Sequence, residues 1–255
     1  MSEFGIASPV LAEEELMSAG TSKGTPNRRV LVVGASRGLG EAIVESYVAR
    51  GARVVGTVRG SGPSPLHEYA RSAGAALEIE QVDVTIPEQL ASFRKRLEGR
   101  CFDLLFVVAG ISLAAQDAIG AEIATRDFEM MMDTNVLGVM RAVEVLQDLV
   151  EPGGTIAVMS SGQGSVAGNT SGGFEVYRAT KAALNQMFRS YAARHAHSDR
   201  ALLLMAPGWV KTSLGGPGAL LEIAESVPPL VDTVDAQHGA SGLQYLDRHG
   251  AKVAW

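Results

Sequence analysis

Val30-Leu31-Val32-Val33 runs directly into Gly34-Ala35-Ser36-Arg37-Gly38-Leu39-Gly40, and from there into a helical pattern that continues to Arg50. An unbroken apolar, β-branched run is a strand buried on both faces, which is the condition of a parallel sheet. The turn that follows lets backbone N–H groups come close to phosphate oxygens, and the helix N-terminus adds a partial positive charge. Strand, glycine turn and helix in this order therefore point to a dinucleotide pyrophosphate site. The spacing is G-x-x-x-G-x-G (Gly34, Gly38, Gly40) rather than G-x-G-x-x-G, and no Gly-Lys-Ser/Thr follows, so the turn is not a P-loop.

The same alternation continues along the chain. Strands are expected to begin near Arg29, Arg53, Ala76, Phe102, Thr155, Ala201 and Gly242. Helices are expected over Leu39–Arg50, Pro87–Glu98, Ala124–Leu149, Phe174–Ala196 and Ser226–Ala236. Such a pattern implies right-handed βαβ crossovers, hence an α/β fold: a single Rossmann-type doubly wound parallel sheet with helices on both faces. We expect one domain over 28–255, with a cofactor half at about 28–150 and a catalytic and substrate half at about 151–255. Residues 1–27, with Pro9, Glu13-Glu14-Glu15, Gly20, Gly24 and Pro26, read as a tail or an appended segment.

The second strand ends in Thr57-Val58-Arg59, where a carboxylate would grip a ribose 2′-hydroxyl. Here there is none. Arg59 follows at once, and Arg37 lies in the glycine turn. Two guanidiniums near one ribose suit a 2′-phosphate, which they bind by forked, charge-assisted hydrogen bonds. NADP(H) is expected over NAD(H).

Tyr177 and Lys181 stand four residues apart in a stretch that reads as a helix, and so share a face. An ammonium beside a phenol favours the phenolate, and the expected effect is a tyrosine pKa lowered towards neutrality. Such a tyrosine can pass a proton to a carbonyl oxygen or take one from an alcohol.

With these residues in place, the chain resembles the short-chain dehydrogenase/reductase family from about Arg29 to the C-terminus. The family's glycine motif is matched by Gly34, Gly38 and Gly40, with Ser36, Arg37 and Leu39 between them. Its adenine-contacting pair is matched by Asp83-Val84, and its segment after the fourth strand, in part, by Ala109-Gly110. Its helix asparagine is matched by Asn135, its serine by Ser161, and its Tyr-x-x-x-Lys by Tyr177 and Lys181. Its Pro-Gly after the sixth strand is matched by Pro207-Gly208, with Val210 and Thr212 following. The 16-residue separation from Ser161 to Tyr177, the Pro207–Thr212 run and Trp255 look most like the C-factor and sniffer-type carbonyl reductase branch. One departure stands out. Where the family has a threonine and asparagines that brace the central strands, this chain has Val33, Val107 and Val108. Replacing both partners by apolar groups can be nearly neutral, so the scaffold is expected to survive.

The resemblance implies hydride transfer between nicotinamide and a carbonyl or alcohol carbon. Tyr177 would be the general acid or base. Lys181 would tune it and hold the nicotinamide ribose, and Ser161 would bind the carbonyl oxygen. Asn135 would support a water-linked proton path. The segment after Thr212 is short, glycine-rich and apolar, which suits a small apolar carbonyl compound under a movable lid. Phe174, Trp209, Leu214 and Leu220 are its expected walls. The C-factor likeness also keeps open an NADP-binding sensor that acts through protein partners. Family members often pair through long helices, here Ala124–Leu149 and Phe174–Ala196, which leaves homodimer, homotetramer and monomer open.

Other classes lose support. A net charge of −6 argues against a general nucleic-acid surface. No apolar run is long enough to span a bilayer, so no membrane partner is expected. The acidic N-terminus lacks the basic start of a signal peptide, and the default expectation is a cytoplasmic protein. Cys101 is the only cysteine, and His195-Ala196-His197 has i,i+2 spacing, so no metal site is expected.

Overall fold

In the computed structural model, residues 27–255 are described, so the expected segment 1–27 lies, but for its last residue, outside them. One seven-stranded, wholly parallel sheet runs through these residues in the order β3-β2-β1-β4-β5-β6-β7. The strands are β1 Arg29–Val33, β2 Arg53–Val58, β3 Leu77–Gln81, β4 Phe102–Val107, β5 Val150–Met159, β6 Ala201–Ala206 and β7 Gly242–Asp247. The order reverses between β1 and β4. Crossovers leave in opposite directions there and open a crevice at the strand C-termini, where such sheets bind ligands.

Consecutive residues of each central strand feed opposite cores. Leu31, Val33, Leu105, Val107, Ile156 and Val158 pack with Phe93, Val143, Leu184 and Phe188 on one face. Val30, Val32, Leu104, Phe106, Ala157 and Leu203 pack with Ile43, Val44, Leu230 and Val231 on the other. This is why the strands are continuous apolar runs rather than alternating ones. Val33 and Val107 are paired across β1 and β4 and fully buried, so the two valines replace a polar brace by packing. Beyond them, the Val108 and Ala109 N–H groups both donate to Val33 O and hold the strand ends together.

The helices are α1 Gly38–Ala49, α2 Pro65–Ala73, α3 Pro87–Arg96, α4 Thr125–Met132, α5 Val139–Leu146, α6 Glu175–Arg194 and α7 Ile223–Asp235. Three differ from expectation. α2 was not expected. Ser64 caps it in a reciprocal box with His67, and Pro65 opens its first turn. The single helix expected over 124–149 contains a π-helical stretch, Asp133–Gly138, between α4 and α5. α7 begins three residues before the expected Ser226, because Glu222 and Glu225 form a capping box upstream of Pro228 and Pro229. β5 likewise starts at Val150, five residues early, with a register shift opposite Phe102–Leu104 where Pro152 and Gly153 interrupt regular pairing. No helix among the described residues is long and apolar enough to cross a membrane.

Candidate active site

The glycine turn is built for close approach. A Cβ at Gly40 would stand 2.1 Å from Gly34 O, and one at Gly34, whose φ is +95°, would stand 2.6 Å from Ala109 N. The Gly34 N–H donates to the buried Thr57 Oγ1 at 3.0 Å and the Ala35 N–H to Thr57 O at 2.7 Å. Thr57 thus ties the turn to β2, a role the sequence reading missed while seeking a carboxylate there. Arg37 precedes α1 without a side-chain cap, so the first-turn amides of α1 are free to meet an anion. Thr212, from the loop after β6, lies over Gly38, its Cγ2 3.5 Å from where a Cβ would be. Turn and loop together fit a pyrophosphate. Gly40→Ala is expected to cost about 3 kcal/mol, read by urea unfolding, because the carbonyl it meets is backbone that cannot turn aside.

Arg37 and Arg59 are exposed and form no ion pair among the described residues. Asp83 accepts from the Thr85 N–H at 2.9 Å and from Thr85 Oγ1 at 2.7 Å through one carboxylate oxygen, which fixes the turn after β3. Val84 beside it is buried.

α6 carries Tyr177 and Lys181 side by side. Lys181 is 2% exposed, and its Nζ donates to Met159 O at 2.9 Å and lies 5.7 Å from the Tyr177 ring centroid. Burial pulls its pKa down to about 8. Tyr177 is half-buried, and the direction of its shift corrects the sequence expectation. Burial pushes the phenol well above its ordinary value, a hydrogen bond with the Ser161 side chain opposes this, and the nearby Tyr245 phenol adds to it. Desolvation disfavours the phenolate and is the largest of these effects.

Ser161 stands at the end of β5 in an extended conformation, and its Oγ accepts the Gln163 N–H at 3.2 Å. Ser160, next to it, faces the opposite way and donates to Asn185 Oδ1 at 2.5 Å in the interior. Asn135 falls within the π-helical stretch, fully buried. Its amide clamps one peptide, accepting the Ile111 N–H at 2.7 Å and donating to Ile111 O at 2.8 Å, with a further bond to Thr180 Oγ1 at 3.1 Å. A Cβ on Gly110 would be 3.5 Å from Asn135 Oδ1 and 3.6 Å from Lys181 Nζ. Asn135 therefore joins the loop after β4 to α6 beside the buried ammonium. The π turn is what brings this side chain inward, consistent with the placement of such turns at functional sites.

At the mouth, Phe174 and Trp209 meet edge to face with centroids 6.0 Å apart. Phe174 caps α6 at φ +51°, a left-handed conformation unusual for a bulky residue, and its N–H donates to Gln116 O at 2.7 Å. Glu175 then accepts the Gly120 N–H at 2.8 Å, so the loop after β4 is pinned to the start of α6. The segment expected to be a movable lid is tied back on itself. Trp209 Nε1 donates to Gly215 O at 2.8 Å, Trp209 O accepts the Leu220 and Leu221 N–H groups, and the Lys211 N–H donates to Leu221 O at 2.8 Å. Leu214 and Leu220 are 43% and 78% exposed, Leu220 standing out toward solvent. The structure thus joins Phe174 and Trp209 but not the two leucines. Pro207 O accepts from the buried Ser226 hydroxyl, which anchors Pro207-Gly208 to α7, and Val210 is buried.

A doubly wound sheet with an uncapped glycine-rich helix start, a serine at the end of β5, and a tyrosine beside a buried lysine on α6 define an oxidoreductase class of protein. The short chain dehydrogenase family model matches residues 28–218. The chain belongs to that family. A short-chain dehydrogenase/reductase of Burkholderia multivorans, solved with bound NADP, is 51% identical with a TM-score of 0.88, covering 90% of this chain and 100% of that one. A carbonyl reductase of Pseudomonas aeruginosa PAO1 in complex with NADP is 33% identical with a TM-score of 0.82, over 90% of this chain and 100% of that one. The C-signal protein of Myxococcus xanthus is 32% identical over 155 residues, 60% of this chain and 92% of that protein. These relatives place the chain in the C-factor and carbonyl reductase part of the family.

Proposed function

We propose that this protein is an NADP(H)-dependent carbonyl reductase that acts on a small, apolar carbonyl or alcohol substrate. The observation that carries the reading is the convergence of Ser161, Tyr177, Lys181 and Asn135 on one crevice beside the glycine turn. When bound, NADP(H) supplies or accepts the hydride at the substrate carbon. Ser161 donates to the carbonyl oxygen and stabilises the charge that grows on it. Tyr177, held as the neutral phenol by burial, gives its proton to that oxygen. Lys181 holds the cofactor ribose, and its charge supports the tyrosine as the proton leaves. Asn135 keeps the Ile111 peptide in place beside them. Phe174 and Trp209 present aromatic surface at the mouth, which favours an apolar substrate.

Arg37 and Arg59 are the groups assigned to the 2′-phosphate, and their exposed guanidiniums, without an ion pair among the described residues, support NADP(H) over NAD(H). Replacing both by alanine is expected to weaken NADPH binding about 100-fold while leaving NADH binding within about twofold. Tryptophan-fluorescence titration of both nucleotides checks this. Equal losses for the two nucleotides would remove the assignment.

The C-signal relative supports a second reading, an NADP-binding protein whose output is a protein contact. Turnover separates them. NADPH oxidation against a panel of small aldehydes, ketones and quinones is expected to show at least one substrate. Tight NADPH binding with no turnover across the panel would favour the second reading.

A further inference from the structure

Tyr245 lies on the edge strand β7, 84 residues from Ser161, and belongs to none of the motifs above. Its side chain nevertheless reaches the strand end that carries Ser161. The residue is 3% exposed, and its hydroxyl donates to Ser161 O. The same carbonyl oxygen accepts the Gly164 N–H at 2.9 Å, so both of its lone pairs are engaged. Tyr245 is itself held. Its ring meets Trp255 edge to face at 5.6 Å, and the Arg189 guanidinium covers Trp255 at 4.7 Å. The Val253 N–H bonds Tyr245 O at 2.9 Å, and the Ala167 N–H bonds Trp255 O at 2.9 Å. The loop that follows Ser161 is therefore gripped from the far edge of the sheet.

Building on the reductase reading above, we propose that Tyr245 is a positioning residue for carbonyl reduction. Its hydroxyl holds the Ser161 peptide so that Oγ stays within reach of the Tyr177 phenol and of the carbonyl oxygen. Ser161 Oγ already accepts the Gln163 N–H, which leaves its own proton to be aimed. The peptide's placement sets where Oγ stands, and so which acceptors that proton can reach by rotation. A donor displaced by a fraction of an ångström loses much of its value, and misplacements of about 1 Å cost on the order of 100-fold.

Tyr245→Phe removes the hydroxyl alone, which besides Ser161 O also neighbours the Ser160 and Asn185 side chains. The ring and its contact with Trp255 remain, and Ser161 O keeps the Gly164 N–H, so no buried carbonyl is orphaned. Steady-state kinetics with NADPH and a carbonyl substrate, together with NADPH titration, are measured for the wild type, Y245F, S161A and the double variant. The expected result is a kcat about tenfold lower in Y245F, with carbonyl KM and NADPH Kd within twofold of wild type. In the S161A background the same change is expected to do nothing further, because Tyr245 acts through Ser161. A wild-type kcat in Y245F overturns the proposal. So does an equal tenfold loss in both backgrounds, which would mark a general structural effect. Amide exchange over residues 161–164 is read on the same proteins. Faster exchange in Y245F is expected, and unchanged exchange overturns the pinning even if no carbonyl substrate is turned over. The absence of wild-type turnover counts only against the reductase reading.

Discussion

Tyr177→Phe is expected to lower kcat for carbonyl reduction by about 10³-fold, with NADPH affinity within twofold of wild type. General acid catalysis by a positioned side chain contributes on the order of 10²–10⁴-fold, and phenylalanine removes the proton while keeping the ring. The neutral phenol is the form that reduction needs, and burial keeps it in that form. Reduction should therefore show no loss near neutral pH from tyrosine ionisation. Its alkaline fall is expected to follow Lys181, whose pKa lies at about 8. Oxidation of the alcohol needs the phenolate, which burial keeps scarce, so it should rise with pH only while Lys181 keeps its charge. Stopped-flow traces of NADPH absorbance between pH 6 and 9.5 check both limbs. A Tyr177→Phe variant that turns over as fast as wild type would remove Tyr177 from the reaction.

Lys181→Met is expected to abolish measurable turnover and at the same time to make the protein more stable. Burial lowers the lysine from 10.5 to about 8, so holding the ammonium inside costs about 3 kcal/mol at neutral pH. Methionine fills similar space without a charge. It forgoes the bond to Met159 O, which offsets about 1 kcal/mol. The net gain of about 2 kcal/mol corresponds to a Tm roughly 4–8 °C higher at pH 7. The pH dependence has a definite sign. Between about pH 8 and 10.5 the folded protein binds fewer protons at this site than the unfolded chain, so the wild type gains stability as pH rises through that window. The variant should lack that gain, and the two Tm values should converge toward pH 10. Calorimetry at pH 7 and pH 10 tests this. A variant less stable than wild type at pH 7 would mean that the ammonium's bond outweighs its desolvation.

Much of the fold follows from local pattern. The central strands β1, β4 and β6 are apolar runs bounded by turn residues, while the edge strands β3 and β7 mix polar and apolar residues, and strand–helix alternation points to right-handed crossovers and a parallel sheet. The elements misjudged were those set by chain ends and irregularities. α2 is nine residues long and buries only Leu66 fully, so it offers few apolar positions for a periodic pattern, and its Ser64–Pro65 start is its clearest local signal. The π-helical stretch is invisible to periodicity, because Asp133–Gly138 has the composition of an ordinary helix and widens only where Asn135 turns inward to Ile111.

The site divides along the same line. Local spacing was enough to place Gly34, Gly38 and Gly40 at a turn, Tyr177 and Lys181 on one helix face, and Ser161 at a strand end. These depend on neighbours within a few residues, where backbone geometry leaves few choices. Tertiary structure alone decided that Lys181 is buried and that Tyr177's own desolvation pushes it up rather than down. It also decided that Thr57 holds the glycine turn, that the loop after Thr212 is hydrogen-bonded back to Trp209 and Lys211, and that Tyr245 reaches Ser161 from the sheet edge. Desolvation and hydrogen bonds between distant segments depend on which surfaces the fold brings together, and no local pattern in the chain encodes that.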